Sequence, residues 1–184
     1  RFYLKEVTDE ITGLPTFKWK KSVTWISSFY PKGKEFWKWL ANKGWSEAEE
    51  IKVAAGSKGT TVHSAITNLL SGGVVKMEDK YESRETGKEE ELTVEEYECI
   101  MSFAEWFKET KPEIILNEVF VESELHDFAG MCDLVAKIKD QVYIIDFKTG
   151  EYIWAEYELQ ISAYKQALKE MGRNVENVKL AFLQ

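Results

Sequence analysis

The 184-residue sequence predicts an α/β fold of the α+β kind, a central mixed β-sheet flanked by helices. Three observations carry that prediction. From Glu113 onward the chain reads strand, strand, strand, helix, strand. Ahead of it, apolar residues recur at helical spacing, as in Val62, Ala65, Ile66, Leu69 and Leu70. Hydrophobic residues make up 44% and aromatic residues 14%, enough for a substantial core in one domain. We therefore expect a single domain over residues 1–184, with a β-rich and helical part at 1–112 and the sheet core at 113–184.

Residues 1–26 read as β-rich: FYLKEV, a turn from Asp9 to Gly13, TFKW, and the run Ser22-Val23-Thr24-Trp25-Ile26. A helix is expected from Lys34 to Lys43, stopped by Gly44, and a second opens on a capping box, Ser46-x-x-Glu49. Its expected stop is Gly56-Ser-Lys-Gly59. A third helix, Thr60 to Leu70, then ends at Gly72-Gly73. The charged stretch from Lys76 to Leu92 reads as an exposed loop. Thr93-x-x-Glu96 caps a helix to about Glu109, with Ile100, Phe103, Trp106 and Phe107 inward. The strand 114–122 places Glu118 and Glu122 on one face with Leu116 and Phe120, so that Glu118 reads either as a half-buried acid that wants a partner or, equally, as a surface-edge carboxylate, and Glu122 rather as the latter. A helix from Ala155 to Met171 turns Tyr157, Ile161, Tyr164 and Leu168 inward and stops at Gly172, ahead of a strand from Val178.

No run approaches the roughly 18 apolar residues of a membrane span, and no signal peptide is visible, so a cytoplasmic protein without a membrane partner is expected. The net charge of −8 argues against indiscriminate adhesion to nucleic acid, though not against a local basic track. Two cysteines, Cys99 and Cys132, are too few for a four-cysteine cluster and read as buried thiols.

The chemistry concentrates between Gly130 and Gly150. Residues 131–138 alternate so that Cys132, Leu134, Ala136 and Ile138 share one face and Asp133, Val135 and Lys137 the other. Residues 142–148 form a second strand on which Asp146 and Lys148 point to one side. A hairpin turn near residue 140 puts position 133 opposite 147, with Asp133 between Asp146 and Lys148. Two facing carboxylates repel by up to about 1 kcal/mol on adjacent strands. Burial raises that cost, and a divalent cation removes it. An ordinary surface pair explains the hairpin alone equally well. His63, by itself, reads more often as a boundary residue than as a ligand, and His126 as solvated.

In order, Gly59-Thr-x-Val-His63, Glu118, Gly130-x-x-Asp133, Asp146-x-Lys148-Thr-Gly150 and Gln160-x-x-x-Tyr164 resemble the RecB-type branch of the PD-(D/E)xK nuclease superfamily. The Ser22-Val23-Thr24 segment also resembles stand-alone phage exonucleases of that branch and the mitochondrial genome maintenance exonuclease type. The resemblance implies a restriction-endonuclease-like core. It implies a metal-dependent deoxyribonuclease, an exonuclease working on DNA ends or single strands in recombination, repair or phage DNA processing. A recombination or replication protein would be a natural partner. Asp133, Asp146, the backbone carbonyl of Phe147 and His63 would hold Mg²⁺ or Mn²⁺, and Lys148 would orient the attacking water and stabilise phosphate charge. Glu118, Gln160 and Tyr164 match supporting or substrate-binding positions. Some relatives carry an iron–sulfur cluster on four cysteines; with two, none is expected here. The alternative is a catalytically silent nucleic-acid-binding or scaffolding module of the same fold.

Overall fold

The computed structural model describes residues 2–83, 86–150 and 152–184. Two antiparallel strands, β1 (Phe2–Thr8) and β2 (Pro15–Ser22), open the chain, followed by three helices, α1 (Val23–Ser27), α2 (Lys34–Lys43) and α3 (Trp45–Leu70). A small hairpin, β3 (Lys80–Glu82) and β4 (Glu89–Glu91), leads into α4 (Val94–Thr110). Then come β5 (Glu113–Ser123), β6 (Phe128–Ile138), β7 (Gln141–Phe147), α5 (Ala155–Glu170) and β8 (Lys179–Leu183). The larger sheet is mixed: β5 and β7 run antiparallel to β6, while β2 pairs with β6 and β8 with β7 in parallel.

The centre of this sheet is a fork. β5 runs along one edge of β6 from Lys137 back to Phe128. The other edge of β6 is shared, pairing with β2 at Phe128 and Ala129 and with β7 from Leu134 to Ile138. Residues 130–133 lie between these two partners, and Asp133 stands where β7 begins to pair.

Two cores hold the layers. On one face Val23 of α1 and Ile161, Tyr164, Ala167 and Leu168 of α5 meet Val121, Cys132, Val135 and Ile144. On the other, Val62, Ala65 and Ile66 of α3 and Ile100 and Phe103 of α4 meet Leu134, Ala136, Ile145 and Phe147. Adjacent residues Ile144 and Ile145 feed opposite cores because β7 is covered on both sides, hence its continuous Val/Ile character. Ile100, Leu134, Ile144 and Ile161 are fully buried, and each stabilises the fold by about 1.5–3 kcal/mol.

The expected capping box at Thr93 is present, with Thr93 Oγ1 accepting from the Glu96 backbone N–H and the Glu96 carboxylate accepting in return from the Thr93 backbone N–H. Elsewhere the structure corrects the sequence reading. Val23 to Ile26 is helical rather than extended, because Ser22 ends the strand and its Oγ accepts the Trp25 N–H at 3.0 Å. The two helices expected between Ser46 and Leu70 are one. α3 starts at Trp45 after Gly44, which has φ 77°, and runs through Gly56 and Gly59 without a break. An interior glycine costs about 1 kcal/mol. Continuing the helix buries Val62, Ala65 and Ile66 and outweighs that cost. Part of the stretch expected as a loop, 76–92, pairs as β3 and β4, and it buries Ser83 and Leu92 at its ends; Arg84 and Glu85 lie outside the described residues.

The hairpin register is displaced by one residue. Ile138 pairs with Gln141 and Leu134 with Ile145 across a Lys139-Asp140 turn, so Asp133 continues the ladder opposite Asp146 rather than Phe147. Facing also changes along the strand. Cys132 and Val135 belong to one core and Leu134 and Ala136 to the other, so the strict alternation expected for 131–138 breaks beside Asp133. Opposite it on β5 the same break occurs: Leu116, Val119 and Val121 all serve the α5-side core, and Glu118 between them has φ 44°. A left-handed residue reverses the pleat, which is how both strands change phase together.

Candidate active site

Four elements and the residue after one of them deliver the site residues to the fork. Asp133 comes from the middle of β6, Asp146 and Phe147 from the end of β7, Lys148 from the residue after it, His63 from α3, and Gln160 and Tyr164 from α5. Lys148 stays aligned with the sheet because its N–H donates to the Leu183 carbonyl at 2.9 Å, continuing the β7–β8 ladder.

Asp146 is the most enclosed of the set, 1% exposed. Its Oδ1 accepts from Gln160 Nε2 at 3.1 Å, and the Lys148 ammonium lies 2.5 Å from its Oδ2. Apart from that ammonium, no donor reaches this buried oxygen among the described residues. Gln160 acts as a clamp: its amide N–H groups reach Asp146 and, at 2.8 Å, the Tyr164 hydroxyl, while its carbonyl accepts from Lys148 at 3.4 Å. Lys148 also lies 4.3 Å from the centre of the Tyr157 ring, so cation and ring attract.

Asp133 is buried and accepts the Phe147 backbone N–H on Oδ2 at 2.8 Å, replacing a ladder bond at the fork. Its Oδ1 lies 3.5 Å from His63 Nδ1, and the other imidazole nitrogen lies 3.1 Å from the Phe147 carbonyl oxygen. His63 therefore spans one acid and the backbone between the second acid and the lysine.

The electrostatics follow from burial and crowding. Burial first, and then the charge of Asp133, raise the Asp146 carboxyl to about 6, against the pull of Lys148 and His63. Burial pushes the His63 imidazole down, but the hydrogen bond and charge of Asp133 and the charge of Asp146 outweigh it, so its affinity for a proton rises. Burial, reinforced by the two acids, pushes the Cys132 thiol up to about 12 and the Tyr164 hydroxyl above its ordinary range. Both stay neutral beside the two acids.

Two carboxylates, a backbone carbonyl and an imidazole form an oxygen-rich donor set suited to a hard divalent cation, with the imidazole tilting preference toward Mn²⁺ over Mg²⁺. The buried Oδ2 of Asp146, met only by the Lys148 ammonium, fits such a role. Among the described residues, no three His, Cys, Asp or Glu side chains by themselves form a ready-made cation cage. The Phe147 carbonyl, 3.1 Å from His63 Nε2, is a candidate further oxygen donor beside these side chains.

The sequence-derived residues His63, Asp133, Asp146, Phe147, Lys148, Gln160 and Tyr164 converge here. Glu118 does not join them: it is exposed, and no polar side chain among the described residues partners it. The half-buried reading fails because its positive φ turns the strand at that point. Sequence reasoning assigned Tyr157 only to the core, yet its ring faces Lys148. Its position three residues before Gln160, on the same side of α5, is the pattern that betrays it. Gly130 was noticed only as part of a motif, whereas a Cβ there would meet Tyr164 Cε1 at 2.7 Å and Val23 Cγ2 at 3.3 Å. His126 sits exposed in the β5–β6 turn, as expected.

No curated protein matches the chain. A family model described as the PD-(D/E)XK nuclease superfamily matches residues 37–184, which takes in every member of the cluster from His63 to Tyr164. A mixed sheet that sets two acids and a lysine at the mouth of one hairpin agrees with that match, and the chain belongs to the PD-(D/E)XK nuclease superfamily.

Proposed function

We propose that this chain is a Mg²⁺- or Mn²⁺-dependent deoxyribonuclease of the RecB-type branch, an exonuclease hydrolysing phosphodiester bonds from DNA ends in recombination, repair or phage DNA processing. Asp133, Asp146 and the Phe147 carbonyl, with His63, would hold the cation, and residues 1–184 would serve as one nuclease domain. The observation that supports this reading is the buried Asp133–Asp146 pair facing Lys148, held by Gln160 on one side and His63 on the other.

A divalent cation bound by these donors supplies Lewis-acid polarisation of the scissile phosphate. The chain's own residues do the rest. Lys148 presents an ammonium group, positioned by Asp146, Gln160 and Tyr157, to the negative charge that develops on the phosphate. Because those partners fix it before substrate arrives, little reorganisation is needed as the charge grows. Gln160 and Tyr164 hold Asp146 from the α5 side and so set the spacing of acid and lysine.

Incubation with labelled linear and closed-circular DNA in Mg²⁺ or Mn²⁺ tests the reading. Linear DNA is expected to be degraded from its ends and circular DNA to survive, with Asp133→Ala and Lys148→Ala each lowering the rate at least 100-fold. Cleavage unchanged by both substitutions would exclude this site. Metal and DNA binding without cleavage would favour the silent module.

A further inference from the structure

We infer that the surface running from Lys18 to Trp45 binds single-stranded DNA and delivers it to the Asp133–Asp146–Lys148 cluster, an inference that rests on the nuclease reading above. Between Lys18 and Lys43 the sequence holds seven lysines and one acidic residue, Glu35, in a chain whose net charge is −8. Extended to Trp45, the same stretch carries five of the seven tryptophans, together with Phe29, Tyr30 and Phe36. Most of it precedes residue 37, where the family match begins.

These rings are not core. Trp19, Phe29, Trp37 and Trp45 are 66%, 68%, 57% and 74% exposed, and α2 buries none of its residues. Three of them lie against neighbouring rings instead. Trp25 lies 5.6 Å from Phe2 and 4.7 Å from Phe29, and Phe36 lies 5.3 Å from Trp37, ring centre to ring centre. Ammonium groups are interleaved with them. Lys20 is buried against Glu122 and Glu124, and Lys21 and Lys32 pair with Asp127 and Glu156, whereas Lys18 and Lys34 have no ion-pair partner among the described residues. Lys38 and Lys43 pair only with exposed Glu35 and Glu47, at 2.9 and 2.6 Å, and such surface pairs are weak enough for a phosphate to replace.

The chemistry selects the occupant. A segment with net positive charge in an acidic chain complements a polyanion. Protein-binding patches are depleted in lysine at their centres, so the lysines argue against a protein partner. A duplex offers phosphates and groove edges but hides its base faces, whereas unpaired bases stack on exposed aromatic rings. The segment also reaches the helix that carries part of the cluster. Lys32 pairs with Glu156 in the first turn of α5, the helix that carries Gln160, and Val23 of α1 packs in the core that holds Tyr164.

Fluorescence anisotropy in EDTA separates binding from cleavage. The full chain is titrated with labelled 20-mer oligothymidylate, with a 20-base-pair duplex and with anionic phosphatidylserine vesicles. The oligothymidylate is expected to bind at least fivefold tighter than the duplex, with affinity falling as salt rises. The double variant Trp37→Ala/Trp45→Ala should weaken it about tenfold or more, as loss of two stacking partners implies. Lys18→Ala/Lys34→Ala should weaken both nucleic acids and flatten the salt dependence, with circular dichroism confirming that each variant is folded. Equal affinity for the duplex, unchanged binding by the folded aromatic variant, or attachment to vesicles but not to the oligonucleotide overturns the inference. Cleavage by the wild type with no effect of the aromatic substitutions would defeat this inference alone. Tight oligonucleotide binding without cleavage in Mn²⁺ would defeat the nuclease reading alone.

Discussion

Asp146 holds its proton more tightly in the folded chain than in the unfolded one, to about pH 6 against an ordinary value of 3.8. Between those values the folded state carries the extra proton, so stability contributed at this position falls as pH rises from about 4 to 6. Lys148 and the Gln160 clamp offset part of the loss, and a divalent cation should offset more. In EDTA, the melting temperature of the wild type relative to Asp146→Asn is expected to fall by a few degrees across that window. Excess Mn²⁺ should restore it in the wild type alone; a flat difference in both conditions would show that Asp146 is not strained by its neighbours. That these residues meet was legible from the order of the motifs and their resemblance to the nuclease family, since the hairpin alone reads equally well as a surface pair. Their register was not. A one-residue change in turn position moves Asp133 from opposite Phe147 to opposite Asp146, and alternation alone does not fix where a hairpin turns. Glu118 failed for a related reason: its φ of 44° breaks the alternation that placed it.

At the scale of elements, glycines mark where close packing and helix continuity diverge. Gly130 lets Tyr164 lie against β6, and the Tyr164 hydroxyl in turn accepts from Gln160. Gly130→Ala puts a methyl group into that ring, so overpacking is expected to destabilise the protein by about 1–3 kcal/mol and to lower cleavage more than tenfold through Gln160. Urea unfolding and the cleavage assay check both; a variant with wild-type values in each would show that Tyr164 moves aside freely. Gly56 is the opposite case. It lies inside α3 and a Cβ there meets nothing within 4 Å. Gly56→Ala should therefore stabilise by about 0.5–1 kcal/mol, and a loss of stability would argue that α3 is not continuous there. Glycines led the sequence reading to divide this helix, since local propensity is visible in a sequence and the tertiary burial that overrides it is not. The Thr93 capping box was legible because its hydrogen bonds are local.

For the whole molecule, the sheet is the frame that turns separate motifs into one site. His63 and Asp133 are far apart in sequence, yet α3 covers the face of β6 and β7 on which Leu134, Ala136, Ile145 and Phe147 pack, bringing the imidazole to the fork. α5 covers the opposite face and brings Gln160 and Tyr164. The strand-and-helix order after Glu113 revealed the mixed sheet, whereas the parallel contact of β2 with β6 at two residues had no sequence counterpart, being set by how α1 packs beside Gly130. We propose that Lys148, held by Asp146, Gln160 and Tyr157, meets the phosphate in a metal-dependent nuclease. The single-turnover cleavage rate of labelled linear DNA in Mn²⁺, compared for wild type, Lys148→Ala and Lys148→Arg, tests this. Lys148→Ala is expected to lose at least 100-fold with its fold and Mn²⁺ affinity retained, and Lys148→Arg to recover part of that loss; cleavage by Lys148→Ala at the wild-type rate would show that this lysine does not meet the phosphate.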